Sequence, residues 1–310
     1  MIEYMNLNIK TMVNYGYIRF INQNRILQRI KNQNSIQYKN RVAIAISTNN
    51  NFLTQTKVMV ASLENAGCRI TLYILNVNLT NEETKDIKSV APKNVEIVVL
   101  SINEDILRKL KISEKWPIEA WARVLIPELI DEDIVIYMDV DTVVVDELLP
   151  LIEMVECKPI AGVLSTFYFR VGLSSIMPNA VNSGVLVMHK KELNVLDFSN
   201  NVLKFAKSHS DELQMPDQDS INNVCKDNMG NIAPRFNSMN YFYAHTFRTI
   251  SKYTVGGYYT KEEFNEALYR PAIIHFNGGP FVRPWIKQGI KHPYYKIYKY
   301  YNKKIACNKK

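Results

Sequence analysis

The amino-acid sequence predicts an α/β fold: an open, mostly parallel sheet flanked by helices. Three observations predict it. Short apolar, partly β-branched runs alternate along the chain with segments of helical spacing. Several of these runs end in polar clusters, as strands buried on both faces do where they meet a loop. With 310 residues, 47% of them hydrophobic and 22% charged, the chain can bury a large core and is too apolar for wholesale disorder.

Residues 1–40, rich in Asn, Gln, Ile and Arg, show no clear strand and a broken helical pattern; they are read as an appended arm without an assigned structure. Regular structure starts at Arg41. Residues 42–46 (Val-Ala-Ile-Ala-Ile) predict a buried parallel strand, stopped by Ser47, Thr48 and three asparagines. Phe52, Thr56, Met59, Val60 and Leu63 then recur at helical spacing, with Gly67 as the stop. Strand-like 69–75, helix-like 81–89 and strand-like 95–100 continue the alternation. A helical stretch over 119–129 leads into a further strand at 134–138. No internal repeat divides the chain, which predicts one main domain over 41–285 and a tail over 286–310.

Composition narrows the function. No apolar run approaches the roughly 20 residues that a membrane-spanning helix needs. The first ten residues lack the apolar segment of a secretory signal, so export by that route is not expected. Cys68, Cys157, Cys225 and Cys307 are scattered without a CxxC pair, which argues against a disulfide framework or structural zinc and for a reducing compartment. The net charge is +8, but residues 283–310 alone carry nine Lys/Arg and no acid, leaving −1 for the rest. The basicity therefore belongs to the tail.

Sheets of this kind hold ligands at the carboxyl ends of their strands, so the places to inspect are the loop over residues 47–51 and the residues that follow Met138. The latter are Asp139-Val140-Asp141. Two carboxylates one residue apart at the end of an apolar strand are costly to desolvate unless something neutralises them. In extended geometry both project to one side, where hard oxygen donors suit Mn²⁺ or Mg²⁺. The plain alternative is a loop whose acids face water; the strand-end position favours the metal. Three more segments combine polar groups with strand or helix ends. Asn182-Ser183-Gly184 precedes an apolar run, Asp217-Gln218-Asp219 follows Pro216 at a predicted helix start, and His275 ends another apolar run before Gly278 and Gly279.

Taken in order, Trp121-Ala122-Arg123-Val124, Asp139-Val140-Asp141, Asn182-Ser183-Gly184-Val185, Asp217-Gln218-Asp219 and His275 with Gly278 and Arg283-Pro284-Trp285 resemble the motifs of the retaining glycosyltransferases of family 8. That family includes bacterial lipopolysaccharide galactosyl- and glucosyltransferases and glycogenin. The resemblance runs from about Val42 to Trp285. It implies a GT-A fold, a UDP-hexose donor, a glycan or glycolipid acceptor and a manganese ion, with magnesium as the alternative. By position it makes Asp139, Asp141 and His275 the metal ligands, with Val140 and Ser183 beside the nucleotide sugar. It sets Arg123 and Asn182 against the donor, and Asp217, Gln218 and Asp219 at the reaction centre. Each has a plainer reading: Arg123 as a solvated helix-face cation, Asp217 or Asp219 as an N-cap. Gly278 and Gly279 would let backbone amides approach the diphosphate, and Arg283 stands where the family has lysine, two residues further from Gly278 than usual. At the first strand the family's uracil-reading aspartate is missing. Thr48, Asn50 and Phe52 are the candidates there, an amide to pair with the base and a ring to stack on it.

Retention calls for a covalent glycosyl intermediate or for same-face attack, and the second is preferred here, with Gln218 shielding the developing charge. In the tail, Tyr294, Ile297, Tyr298, Tyr301 and Ile305 fall at helical spacing among lysines. That pattern suits peripheral contact with an anionic membrane through 286–310, ahead of a merely solvated end or a nucleic-acid contact. The expected location is cytoplasmic, in peripheral association with the inner face of the membrane. The non-enzymatic alternative is a membrane- or nucleic-acid-binding protein on a degenerate transferase scaffold. A sugar-nucleotide pyrophosphorylase is disfavoured, because its glycine-rich loop after the first strand is absent.

Overall fold

The computed structural model describes residues 9–32, 40–102, 118–153, 158–165, 179–253, 258–279 and 281–307. β1 (Arg41–Thr48), β2 (Arg69–Asn76), β3 (Val95–Ser101), β4 (Ile134–Met138), β6 (Ile160–Leu164), β7 (Val181–His189) and β8 (Met229–Asn231) form a seven-stranded sheet in the order β3-β2-β1-β4-β7-β6-β8. A second sheet joins β5 (Thr142–Val144), β10 (Ile273–His275) and β9 (Ser238–Met239) in the order β5-β10-β9. β1 runs parallel to β2 and β4, and β7 runs antiparallel to both β4 and β6. The strand order reverses at β1, which opens a crevice at the carboxyl ends of β1 and β4.

Side-chain alternation explains why these strands read as continuous apolar runs. Val42, Ile44 and Ile46 enter one core with Ile136, Met138, Val185 and Val187. Ala43 and Ala45 enter the other with Val135, Tyr137, Leu186 and Met188, and with the bulky Trp121. Both faces are covered, so neither needs polar residues. The helices that cover them include α3 (Leu53–Ser62) and α4 (Asn81–Lys88), the latter opened by a capping box between Thr80 and Glu83. The predicted helix over 119–129 is broken instead. It runs as Ile118–Ala122, a 3₁₀ turn Arg123–Leu125, and Ile126–Leu129. Pro127 has no N–H to give the Arg123 carbonyl, so a continuous α-helix cannot form across that point.

The terminal segments differ from the sequence reading. The arm is helical: α1 (Ile9–Tyr17), a π-helical turn Ile18–Asn22, and α2 (Gln23–Lys31). Asn22 Nδ2 donates to the Tyr269 carbonyl (2.7 Å) and the Tyr294 hydroxyl (2.6 Å), and Arg29 Nη2 donates to the Val145 carbonyl (2.6 Å). The tail forms the helix Tyr295–Cys307, packed against α3. Its tyrosine face, assigned above to a membrane, lies inside the protein: Tyr294, Ile297, Tyr298, Tyr301 and Ile305 are all buried. Amphipathic spacing is the same for a core face and a membrane face, so spacing alone could not separate them. The hydroxyls do: Tyr294 donates to the Leu268 carbonyl (2.7 Å) and Tyr301 accepts from Asn65 Nδ2 (2.6 Å). Replacing Tyr301 by alanine should therefore lower unfolding stability by about 3–5 kcal/mol in urea titrations. A peripheral tail would leave the midpoint nearly unmoved.

Candidate active site

β4 ends at Met138 and the chain turns at once. The Asp139 carbonyl accepts from the Thr142 N–H (3.2 Å) and hydroxyl (2.7 Å), so Asp139-Val140-Asp141 forms a tight turn rather than the extended strand end that the pleat argument assumes. β5 leaves that turn and pairs antiparallel with β10, with His275 opposite Thr142. This register carries a side chain from far along the sequence to the acidic pair. His275 Nε2 lies 3.1 Å from Asp141 Oδ1 and 3.9 Å from Asp139 Oδ2. One ligand atom from each of the three residues lies within 4.8 Å of the others. Two carboxylates and an imidazole at that spacing can hold a divalent cation.

The imidazole is aimed by a directed chain of amides. Gly184 N–H donates to Asn182 Oδ1 (3.1 Å), which identifies that oxygen as the acceptor. Asn237 Nδ2 donates to the same oxygen (2.9 Å), leaving Asn237 Oδ1 to accept from His275 Nδ1–H (2.8 Å). The neutral ring then carries its lone pair on Nε2, facing the carboxylates, which is the tautomer a metal ligand needs. At the other end, Asn182 Nδ2 donates to Gln218 Oε1 (3.0 Å), which also accepts from Ser183 N–H (3.2 Å). The Gln218 carbonyl oxygen is thus tied to the protein, while Nε2 stands 3.5 Å from Ser165 Oγ. Asn237 is fully buried, and its sequence surroundings give no sign of this role.

Arg123 sits behind the carboxylates rather than on a solvated helix face. It is 5% exposed, with Nη2 donating to Asp139 Oδ1 (2.9 Å), Nη1 to the Ser183 carbonyl and Nε to the Ala120 carbonyl (2.9 Å). Nε is also 3.5 Å from Asp217 Oδ2, and the guanidinium lies 4.4 Å from the centre of the Tyr137 ring. Burial alone would favour losing its proton, but Asp139, Tyr137, Asp217 and Asp141 outweigh burial and keep it a firm cation. Burial pushes the Asp217 carboxyl above its ordinary range, with Arg123 opposing. For Asp141 burial also pushes upward, but the charge of Arg283, and of His275 whenever its Nε2 also carries a proton, prevails and holds it low. The Tyr137 hydroxyl donates to Asp139 Oδ1 (2.8 Å), two residues further along the chain and just past the end of β4.

These groups line a cleft of about 380 Å³. Of the residues singled out from sequence, Arg123, Asp139, Asp141, Asn182, Ser183, Asp217, Gln218, His275, Gly278 and Arg283 border it. Arg283 Nε is 3.8 Å from Asp141 Oδ2 at the rim. Asn182 and Ser183 lie within β7 rather than ahead of it. The Gly279 backbone has φ +150°, a conformation that favours glycine, whereas a Cβ at Gly278 would meet nothing within 4 Å. Asn277, between His275 and these glycines, is a further residue that the sequence did not mark; its Oδ1 accepts from Asn240 N–H (3.1 Å).

Other candidates are not brought to the cleft. Asp219 turns toward the backbone, its Oδ2 accepting from Gln214 N–H and Met215 N–H (both 2.9 Å) ahead of the helix Pro216–Cys225. It steadies the approach to that helix, while Asp217, read as an alternative cap, bonds the Ser183 hydroxyl instead (3.2 Å). Thr48 is 1% exposed and its hydroxyl is engaged with Thr56 (2.7 Å), so it cannot reach a ligand in this structure. Asn50 and Phe52 stand in the loop after β1, at the same end of the sheet but outside the cleft lining, and Val140 packs against the core.

A doubly wound sheet with a DxD turn at its switch point and a histidine brought in by a second small sheet defines a GT-A glycosyltransferase fold. The chain belongs to glycosyl transferase family 8, whose sequence pattern matches residues 43–289. It is 26% identical over 242 residues to general stress protein A of Bacillus subtilis strain 168, covering 75% of this chain and 82% of that protein. It is 22% identical over 200 residues to the glycosyltransferase GlyF of Streptococcus pneumoniae serotype 4, covering 64% of this chain and 49% of GlyF. Among solved structures, the galactosyltransferase LgtC in complex with donor and acceptor sugar analogues superposes with a TM-score of 0.68 at 18% identity, over 85% of this chain and 96% of LgtC. The glycosyltransferase GlyE of S. pneumoniae TIGR4 superposes with a TM-score of 0.63 at 19% identity, over 84% of this chain and 60% of GlyE.

Gly184 supplies a test of the site's packing. A Cβ there would lie 2.3 Å from His275 Cε1, 2.9 Å from Asp139 Oδ2 and 3.0 Å from Asn182 Oδ1. The ring is pinned by Asn237 and cannot retreat freely. Gly184→Ala is expected to lower stability by about 1–3 kcal/mol and to abolish most transferase turnover, as read by thermal unfolding and a glycosyl-transfer assay.

Proposed function

We propose that this family 8 glycosyltransferase moves a hexose, glucose or galactose, from a UDP-sugar to a glycan or glycolipid acceptor with retention of anomeric configuration. The observation that carries the reading is the amide chain that turns the His275 lone pair onto Asp139 and Asp141. The donor set of two carboxylates and one imidazole fits Mn²⁺, with Mg²⁺ the less suited alternative. Bound there, the ion would offset charge growing on the departing diphosphate.

The protein's own residues account for the rest. Arg123 holds Asp139 in place and balances the buried acids, while Arg283 at the rim offers a bidentate grip on phosphate. Asp217 and Gln218 stand at the first turn of the helix Pro216–Cys225, bordering the cleft where a donor sugar would lie. A covalent intermediate needs a free carboxylate nucleophile. Asp219 is turned to the backbone and Asp217 is bonded to Ser183 and paired with Arg123, which supports same-face attack by the acceptor instead. Gln218 then presents its amide nitrogen end, since its oxygen already accepts two hydrogen bonds; that end can orient a sugar hydroxyl but does not shield positive charge as the sequence reading expected. The acceptor hydroxyl loses its proton to the leaving phosphate as the new glycosidic bond forms. We infer that this activity takes place at the cytoplasmic, inner face of the membrane, where a lipid-linked acceptor would be met.

The test is release of UDP from a panel of UDP-sugars with and without Mn²⁺. Asp139→Asn and Asp141→Asn should each reduce turnover by at least about 100-fold with the circular dichroism spectrum unchanged; unaltered turnover would refute the ligand assignment. Asn237→Leu should raise the Mn²⁺ concentration needed for half-maximal turnover by about 10–100-fold, and should weaken Mn²⁺ binding measured directly by calorimetry.

A further inference from the structure

Eight large hydrophobic side chains are exposed among the described residues, and seven belong to two segments that touch each other. On the N-terminal arm, Met12, Val13, Tyr17, Phe20 and Ile21 recur at helical spacing, 38–66% exposed. On the loop before the C-terminal helix, Ile286 and Ile290 are 45% and 50% exposed. Tyr15 joins the segments: its ring stacks on Phe281 at 5.6 Å and its hydroxyl donates to the Lys291 carbonyl (2.7 Å). Exposed apolar side chains gathered on neighbouring segments mark a contact surface, whereas scattered ones need no explanation.

Charge selects the partner. Residues 9–32 hold five Lys/Arg and residues 281–307 hold seven, with no Asp or Glu in either; Arg29, Arg283 and Lys304 are paired with Asp146, Asp141 and Glu64, which leaves nine of the twelve. Beside the apolar stripe, a pocket of about 440 Å³ is lined by Asn14, Thr246, Arg248, Lys261 and Asn265 over the rings of Phe247 and Phe264. Neither Arg248 nor Lys261 forms an ion pair among the described residues. On the helix that carries Lys261, Glu263 closes a capping box and Glu266 pairs with Arg270, which leaves Glu262 against two cations. A second copy docking here would oppose two cationic faces. An anionic bilayer satisfies both features at once, taking the apolar side chains at the headgroup boundary and setting phosphates against the cations.

We propose that this face, rather than the tyrosine stripe of the tail, seats the protein on an anionic lipid surface, with the pocket beside Asn14 receiving a lipid phosphate. The inference rests on the membrane-side placement proposed above and changes which residues carry it. The full chain is floated with vesicles of phosphatidylcholine and phosphatidylglycerol in equal parts, and with phosphatidylcholine alone. The wild type should float with the anionic vesicles only. Met12→Glu with Phe20→Glu should weaken that partition by about tenfold, and Arg248→Gln with Lys261→Gln by a similar factor. Both variants should keep the wild-type thermal midpoint and UDP release, since none of the four residues borders the catalytic cleft. Equal flotation of wild type and the apolar variant would overturn the docking face while leaving membrane association standing. Undiminished flotation of the Arg248/Lys261 variant would overturn the phosphate pocket. A wild type that does not float would remove the membrane placement as well, with the transferase assay untouched. A dimer in sedimentation velocity that Phe20→Glu dissociates would make the face a protein interface and overturn the proposal.

Discussion

The site depends on one constraint: two carboxylates and an imidazole lone pair must face each other without flying apart. Asp139 is held by a guanidinium and a phenol on Oδ1, while its Oδ2 stays toward His275. His275 cannot turn away, because its Nδ1 proton is committed to Asn237. That commitment is relayed from the Gly184 backbone N–H, a donor that cannot change sign. Side-chain amides alone could flip and reverse the chain; the backbone groups at Gly184 and Ser183 forbid it. Polar networks of this kind are costly when partly satisfied and specifying when complete.

The fold supplies the rigidity that such a network needs. β7 carries Asn182, Ser183 and Gly184 at its start, its remainder pairs with β4, and Asp139 N–H donates to the Gly184 carbonyl (2.8 Å), so Asp139 is tied to the strand that carries Asn182. β5 and β10 bring His275 in from the side, anchored by Phe276 N–H on the Asp141 carbonyl (2.9 Å). Asn237 lies next to β9, which pairs with β10, so the residue that orients the histidine is built on the strand beside it. The strands on either side of the acidic turn and the strand that ends in His275 are thus tied to their neighbours by backbone ladder.

The sequence revealed the parts that follow from local pattern. The strands were legible because both faces of the sheet are covered, which turns them into unbroken apolar runs; the acidic pair was legible because it ends one of them. His275 was legible for the same reason, at the end of another short strand. Asn237 was not, since its role depends on a pairing between β9 and β10 that no spacing encodes. Asp219 looked like its neighbour Asp217 but lies round the helix from it, where the nearest donors are backbone amides. The tyrosines of the tail misled for a physical reason: a stripe of phenols suits a membrane boundary and a core equally until their hydroxyl partners are known. For Tyr294 and Tyr301 those partners are an asparagine on each of two other elements and a backbone carbonyl, all inside the protein.

Charge in the cleft ties the geometry to the proposed chemistry. Its lining holds three carboxylates, Asp139, Asp141 and Asp217, against two guanidiniums, Arg123 and Arg283, with His275 between them. With a neutral imidazole the lining carries a formal −1, and Arg123 is already spent on the acids behind it. A nucleotide diphosphate entering such a cleft meets net repulsion, and Arg283 alone, half-exposed at the rim, does not reverse it. A divalent cation beside Asp139, Asp141 and His275 changes the sign of the lining to +1. Donor binding in the proposed reaction is therefore coupled to the cation by electrostatics before any bond is broken, and the buried Arg123 serves to let the acids stay charged while they wait.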